Sequence, residues 1–265
     1  MKKLKKILWT LVILLVVLVI AAVIVAGMFL GNIIKAGMET VGPKITQVTI
    51  KVDAVHLSLL TGGAKIEGLV VGNPEGYNTP QAISVGVAAV EVNPASVLSD
   101  KIVVRSVEVR NPEITFEGNP FGANNLTKIR DNVSGASAAS QKPATNQTAQ
   151  AASGPGKKLE VDDVLITGAK VHVSITGMSG QAMTVPLPDI HLTDMGKGTD
   201  GITATDLTRR VLDALTASTI KAVANSASDL GKGAVNLGNG TGKTATEDVN
   251  KITKGLGGLF KKSTN

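Results

Sequence analysis

The sequence of 265 residues contains no cysteine. Disulfides, a catalytic thiol, a Cys-ligated zinc site and an iron–sulfur cluster are therefore excluded, and burial with hydrogen bonding must stabilise the fold. Aromatic residues make up only 2% of the chain, which leaves few bulky side chains to fill a thick globular core. Val, Ile and Leu are plentiful, and this composition suits a sheet coated with aliphatic side chains.

The net charge gives little support for nucleic-acid binding. The formal charge is +6, from 27 basic and 21 acidic residues. Four of the basic residues lie before residue 7 and all of the acidic ones lie after residue 30, so the chain beyond that point carries only +2. A nearly neutral body with few stacking side chains lacks both the basic patch and the aromatic platform that bind nucleic acids. We expect no nucleic-acid partner.

Residues 7–30 form an apolar run without a charged residue. As a helix with a rise of 1.5 Å per residue, the run is ~36 Å long, enough to cross a hydrocarbon core of ~30 Å. The apolar region of a cleaved signal peptide is shorter. Four lysines within residues 1–6 place the N-terminus in the cytoplasm. The sequence predicts a cytoplasmic stub (1–6), an uncleaved single-pass transmembrane helix (7–30) and an exported remainder.

Beyond this run, apolar and polar residues alternate with a period of two, which is typical of strands with one buried face. The clearest alternating positions are Val48, Ile50, Val52, Val107 and Val109. The phase slips after residue 54 and again before residue 90, which indicates bulges or corners. We predict a strand-rich segment over residues 41–133. The sheet is expected to continue over residues 159–225, with an amphipathic helix around residues 207–222.

Two segments lack a firm apolar period. Residues 134–158 are rich in Ala, Ser, Gln, Thr, Gly and Pro, which predicts a disordered linker or a long loop. Residues 226–265 are predicted to be a flexible tail rich in Gly and Lys. Segments 106–117 and 163–174 are loosely similar to each other, which indicates either an internal duplication or two unrelated strand–turn–strand units.

The order of these parts resembles the bacterial AsmA-like family, in which an inner-membrane helix leads into an exported, strand-rich domain. The matching phrases are residues 41–46 (VGPKIT), residues 68–77 (GLVVGNPEGY) and the strand pair around residues 102–117. The resemblance implies a role in envelope lipid homeostasis at the inner membrane. Long members of the family look like bridge-type lipid transfer proteins with a groove of apolar side chains. At ~4.8 Å per strand, about ten strands give only ~48 Å of groove here.

The predicted fold is mainly β, with an N-terminal transmembrane helix, an extended curved sheet of antiparallel type and a C-terminal amphipathic helix. The apolar strand faces are either a closed core under that helix or an open groove or trough that holds acyl chains. One helix of ~20 residues cannot cover about ten strands, which favours the trough. The candidate lipid-facing residues are Val48, Ile50, Val52, Val107 and Val109.

The sequence gives no catalytic, cofactor-binding or metal-binding residues. The histidines at positions 56, 172 and 191 occupy polar positions of alternating strands, and none forms a helical metal-binding pair with another. We therefore expect a non-enzymatic envelope protein without a cofactor, which binds or helps to transport lipid. Its expected partners are the inner membrane, phospholipid and an envelope protein. The alternative is a structural or assembly factor that docks a partner protein.

Overall fold

The computed structural model describes residues 2–140, 157–174, 183–198 and 200–240. Within these ranges the chain forms three α-helices, ten β-strands and a 3-10 turn at Pro94–Leu98. The helices are α1 (Lys2–Thr46), α2 (Asn125–Ser140) and α3 (Ala204–Gly240). The strands are β1 (Ile50–Lys51), β2 (Ala54–Ser58), β3 (Gly63–Gly72), β4 (Gln81–Val92), β5 (Lys101–Arg110), β6 (Glu113–Glu117), β7 (Lys158–Thr167), β8 (Lys170–Ser174), β9 (Met183–Pro186) and β10 (Ile190–Met195).

The ten strands form one mixed sheet with six positions side by side. We call the part of the chain at each position a ribbon, which is either one long strand or two consecutive strands. The ribbons lie side by side in the order β1–β2, β3, β4, β5–β6, β7–β8 and β9–β10, and each two-strand ribbon is an extended chain with one interruption. Neighbours are antiparallel, except that β5–β6 runs parallel to β7–β8. A parallel pair needs a long crossover, and α2 lies in it. With ~4.8 Å between ribbons, the sheet is ~24 Å across, half of the width expected from ten strands.

The two similar segments of the sequence are neighbours in the sheet. Val107 pairs with Val164 and Ile114 pairs with Val171, so residues 106–117 and 163–174 lie in the same register in which their sequences resemble each other. Both ribbons are interrupted at equivalent residues with a positive φ. The two segments therefore share one backbone geometry in adjacent ribbons.

These interruptions belong to a line across the sheet, which we call the crease. It passes through Asp53, Gly68, Gly86, Asn111 and Gly168. Gly68, Asn111 and Gly168 have φ values of 61°, 50° and 64°, a conformation that interrupts a regular strand. Gly86 lies opposite Gly68, because the residues on either side of the two glycines are paired with each other.

In every ribbon, the apolar side chains change at the crease from odd-numbered to even-numbered residues, or the reverse. In β4, the buried residues Ile83 and Val85 precede it, whereas Ala88 and Val90 follow it. Because side chains alternate between the faces of a strand, the crease separates two halves with different apolar positions. The near half contains β2, β5, β7 and β10, and the far half contains β1, β6, β8 and β9. The two phase slips in the sequence lie close to this line.

The far half has a core that is buried on β4, β6, β8 and β9 and half-buried at Ile50 and Val71. Cross-strand partners from all six ribbons form an apolar row: Ile50, Val71, Ile83, Ile114, Val171 and Val185. Ile114 and Phe116 are 0% exposed, and Ile129 of α2 is buried in the same cluster. Leu215 and Val223 place α3 in that cluster as well. Two helices therefore close this part of the sheet.

All three helices extend into segments that were predicted to have another structure. α1 continues past the apolar run to Thr46, so the segment expected to be strand-rich begins in a helix. α2 reaches Ser140, inside the predicted linker, whose residues 141–156 lie outside the described residues. α3 reaches Gly240, inside the predicted tail, whose residues 241–265 lie outside the described residues.

The crease predicts different outcomes for two opposite glycines. Gly68→Ala would place a Cβ on a residue with φ 61° and against the Asp53 carboxylate. We expect a loss of at least about 1–2 kcal/mol in the free energy of unfolding. Gly86→Ala is the matched control, because a Cβ there has nothing within 4 Å, and its expected effect is neutral or slightly stabilising. Circular dichroism melting of the full chain in detergent measures both, and equal losses would contradict a strained crease.

Candidate functional site

The near half carries two more apolar rows, each with one residue from every ribbon. The first consists of Val55, Ile66, Ala88, Val109, Ile166 and Ile190, and the second of Leu57, Ala64, Val90, Val107, Val164 and Leu192. Directly paired residues point to the same face of a sheet. One face of the near half is therefore apolar from edge to edge.

These rows are covered at one side of the sheet and partly exposed at the other. Val164, Ile166 and Ile190 on β7 and β10 are buried. In contrast, six residues on β2 to β5 are half-buried, whereas Val55 and Ala88 of the same rows are buried. We call the six half-buried residues the apolar strip: Leu57, Ala64, Ile66, Val90, Val107 and Val109. The strip is a partly exposed aliphatic surface bordered by a closed core. Leu192, the last residue of the second row, lies in a depression of about 450 Å³ beside Ala214 of α3.

The opposite face of the near half is ionic. Lys65 contacts Glu67 at 2.6 Å, and Arg110 contacts Glu108 at 2.7 Å. The hydrogen bond from Lys65 lowers the pKa of the exposed Glu67 carboxyl. His191 is paired with Asp163 on the same face. The near half is thus amphipathic, and its two faces suit two environments, one aqueous and one apolar.

Five residues of α1 contact the ribbon β1–β2, and we call them the seam: Gly27, Gly31, Lys35, Glu39 and Gly42. Gly27 and Gly31 bring α1 against the carbonyl oxygens of Leu57 and Val55, where a Cβ would overlap the Val55 oxygen. Farther along α1, the Lys35 ammonium donates a hydrogen bond to the backbone carbonyl oxygen of Asp53 at 3.0 Å.

The seam continues to the end of α1. Glu39 Oε1 accepts the Val52 N–H at 2.9 Å, and Gly42 lies against the side chain of Ile50. α1 therefore covers the edge that β1–β2 would otherwise expose.

The contacts of the seam also show which part of α1 lies beside each apolar row of the sheet. α1 is the one helix among the described residues that is long and apolar enough to cross a membrane, and Gly27 lies within the apolar run of residues 7–30. Leu57, in the second near row, is level with Gly27, whereas Ile50, in the far row, is level with Gly42. The apolar strip therefore lies at the end of the sheet that is next to the apolar run.

The predicted lipid-facing residues are divided between the two halves. Val107 and Val109 are members of the apolar strip. Val48 is 5% exposed and belongs to the closed core, and Val52 is 2% exposed beside Glu39. Ile50 is half-buried in the far row against α1. The five residues therefore do not form one surface.

Four members of the strip were not among the predicted residues: Leu57, Ala64, Ile66 and Val90. Their alternation is visible in the sequence. Their position beside Val107 and Val109 depends on the register between ribbons, which no local pattern contains.

A buried carboxylate fixes the loop between β3 and β4. Glu117 is 4% exposed and accepts the backbone N–H groups of Asn78 and Thr79 at 2.7 and 2.9 Å, and also their side-chain donors. Burial raises the pKa of Glu117, but these hydrogen bonds outweigh burial and hold the pKa below its ordinary value of 4.5. Asn125 at the start of α2 connects this cluster to Asn73. The cluster thus holds together the far end of the sheet.

The lowered pKa of Glu117 predicts acid sensitivity. A carboxylate with a lowered folded-state pKa stabilises the fold above pH 4.5, and this contribution is lost as the pH falls through the folded-state pKa. Glu117→Gln should lower the free energy of unfolding at neutral pH by about 1–3 kcal/mol and reduce its fall on acidification. Melting curves from neutral to acidic pH measure both. The control is Glu113→Gln, an exposed residue of the same strand, and identical acid profiles for the two variants would contradict this role.

The described residues contain no group of three or more side chains that could hold a metal ion. His56, His172 and His191 lie beside Glu67, Thr184 and Asp163. The arrangement can bury apolar groups on one face and form ion pairs on the other.

The chain matches the model of a known protein family. The model of the AsmA family matches residues 1–196, which include α1, α2 and all the strands described above. No curated protein matches the chain.

Proposed function

The chain belongs to the AsmA family, and we propose that it is a non-enzymatic envelope protein, anchored in the inner membrane, whose apolar strip binds lipid and helps to transport it. In this proposal the N-terminus is cytoplasmic, because four lysines precede the apolar run. The sheet and α3 are then periplasmic. The protein would contribute to envelope or outer-membrane homeostasis.

The observation that carries the proposal is the half-buried apolar strip, which is not fully covered by other parts of the described chain. All six of its side chains are aliphatic, and none of them offers a polar group that would orient a headgroup or a reacting substrate. Such a surface gains free energy by removing apolar area from water, at roughly 25 cal/mol per Å². Acyl chains supply this area without any directional bonding. The ligand expected from the strip is therefore the acyl part of a phospholipid.

The dimensions of the strip fit one leaflet. It crosses four ribbons, which at ~4.8 Å per ribbon spacing gives ~14 Å. One leaflet contributes half of a hydrocarbon core of ~30 Å, or ~15 Å. The strip can thus contact most of an acyl chain. The whole sheet is only ~24 Å across, so the proposal is that the chain binds lipid beside one membrane and does not bridge two.

The position of the strip supports uptake from the membrane that α1 crosses. Leu57 belongs to the strip and contacts α1 at Gly27, inside the apolar run. Because the strip and the run meet at this point, an acyl chain would leave the bilayer and reach the strip along a short apolar path. The closed core of the far half lies farther from the membrane.

Charge substitutions test the proposal. Val107→Glu places a carboxylate on the half-open strip, where it can reach water, so the chain should fold but bind less phospholipid. Ile114→Glu buries an unpaired charge at a position that is 0% exposed, and it should destabilise the fold by several kcal/mol. Phospholipid per purified chain, measured by mass spectrometry, and circular dichroism melting are the two readouts.

The control is Val87→Glu, which lies on the opposite face of β4 and is 41% exposed in the wild type. All three variants keep α1, so lipid bound around that helix is the same in each. A smaller lipid content in Val107→Glu than in Val87→Glu supports the proposal. Equal contents in two folded variants would reject it and favour the structural or assembly factor.

A further inference from the structure

Two turns at the near end of the sheet expose aliphatic side chains. The first, residues 59–62, joins β2 to β3 and contains Leu59 and Leu60, which are 40% and 74% exposed. The second is the 3-10 turn Pro94–Leu98, in which Val97 is 45% and Leu98 is 92% exposed. We call these turns the first and the second apolar turn.

The two apolar turns lie side by side. The Val92 N–H donates to the Gly62 oxygen at 2.9 Å, and a Cβ on Gly62 would lie 2.9 Å from Pro94 Cγ. Residues 57–64 and 92–99 contain no charged residue. Together the turns form an uncharged, apolar cluster at the near end of the sheet, which we call the protrusion.

Several backbone donors of the two turns are satisfied within the protein. In the first turn the Gly62 N–H donates to the Ser58 oxygen at 2.8 Å, and the Gly63 N–H donates to Thr61 Oγ1 at 3.3 Å. In the second turn the Ser96 N–H donates to the backbone oxygen of Asn93 and the Ser99 N–H to that of Ser96, both at 3.0 Å. These internal bonds lower the cost of removing the turns from water.

α1 shows the level at which the protrusion lies. Leu59 Cγ is 3.9 Å from the Cβ position of Gly27. Gly27 lies within the apolar run, and the first charged residue after the run is Lys35, about 12 Å farther along the helix. Lys35 is level with Asp53 at the crease. The first apolar turn is therefore on the membrane side of the boundary between apolar and charged residues.

Charged residues of both signs lie near the protrusion. Asp100 and Lys101 follow the second turn, Lys101 is paired with Glu160, and Lys197 contacts Asp194 at 2.8 Å. The Lys157 ammonium donates to the carbonyl oxygen of Val97 in the second turn. A lysine can bury its aliphatic stem in an apolar layer while its ammonium stays in a polar layer. Apolar burial, and not attraction to anionic lipid, is the interaction that this end offers.

We propose that the two apolar turns penetrate the membrane that α1 crosses, in the leaflet that faces the exported part of the chain. They would thus hold the near end of the sheet in the lipid. This inference rests on the proposed membrane anchoring by α1, but not on lipid transport. It adds a second point of attachment to the bilayer. The partner is the lipid bilayer itself, contacted through Leu59, Leu60, Val97 and Leu98.

Single-cysteine labelling tests the inference cleanly, because the chain has no native cysteine. Leu60→Cys and Leu98→Cys are labelled with an environment-sensitive fluorophore in the full chain, reconstituted into phosphatidylcholine vesicles. The vesicles contain lipids with a nitroxide quencher either near the headgroup or deep in the acyl region. Val17→Cys, in the middle of the apolar run, reports on the span. Phe121→Cys, 58% exposed beyond β6 at the far end, is the apolar control.

We expect the labels at positions 60 and 98 to shift to the blue and to be quenched by the shallow nitroxide more strongly than the label at position 121. The label at position 17 should be quenched most by the deep nitroxide. Addition of anionic lipid or salt should leave the signals at 60 and 98 unchanged.

If position 17 is quenched but positions 60 and 98 behave like position 121, the inference is wrong and the anchor stands. If position 17 is not quenched either, the anchor is wrong and the inference is lost with it. Quenching at 60 and 98 that appears only with anionic lipid would reject apolar penetration.

Discussion

Gly27 and Gly31 allow α1 to lie directly against the carbonyl oxygens of the first ribbon of the sheet. Larger side chains at these positions would hold the helix away from the strand. The contact has two consequences that follow from one geometry. It covers an exposed sheet edge, which would otherwise invite pairing with other chains. It also joins an apolar helix rigidly to the sheet, so that each row of side chains has a fixed height above the membrane that we propose α1 crosses.

The crease then divides the sheet into two environments. Beyond it, α2 and α3 close the core, and Ile114, Phe116 and Ile129 are fully buried. On its near side, Val164, Ile166 and Ile190 are buried on β7 and β10, and the six residues of the apolar strip on β2 to β5 are half-buried. Packing the far half tightly supplies the stability that a partly open apolar surface does not.

Local patterns in the sequence predicted much of this fold. The apolar run and the period of two were sufficient to predict an N-terminal helix that leads into a sheet, and the scarcity of aromatics favoured an open surface. Val107 and Val109 were chosen by alternation alone, and both are in the apolar strip. Val48, Ile50 and Val52 show the same alternation, but α1 and the far half surround them. Alternation identifies an apolar face and does not tell what packs on it.

The features that were not predicted from the sequence depend on how segments far apart along the chain pack and pair with each other. The break at Asn111 and Pro112 looks like a turn between two strands, yet one ribbon continues through it, which is why ten strands make a sheet of six ribbons. The crease requires Gly68 and Gly86 to be opposite each other, and Asn111 to be beside Gly168, which is 57 residues away along the chain. The helix ends are a further case, because α1 continues through Pro43 by packing along β1–β2.

The central claim is that one face of the near half contacts lipid while the other contacts water, and two residues of β4 test it directly. Val90 lies in the apolar strip, and Val87 lies three residues away on the ionic face. A photoreactive amino acid is placed at each position in the full chain, which is irradiated in its native membrane, and the adducts are identified by mass spectrometry. We expect phospholipid adducts at position 90 and none above background at position 87. Equal lipid adducts at the two positions, or adducts at position 90 with protein alone, would contradict it.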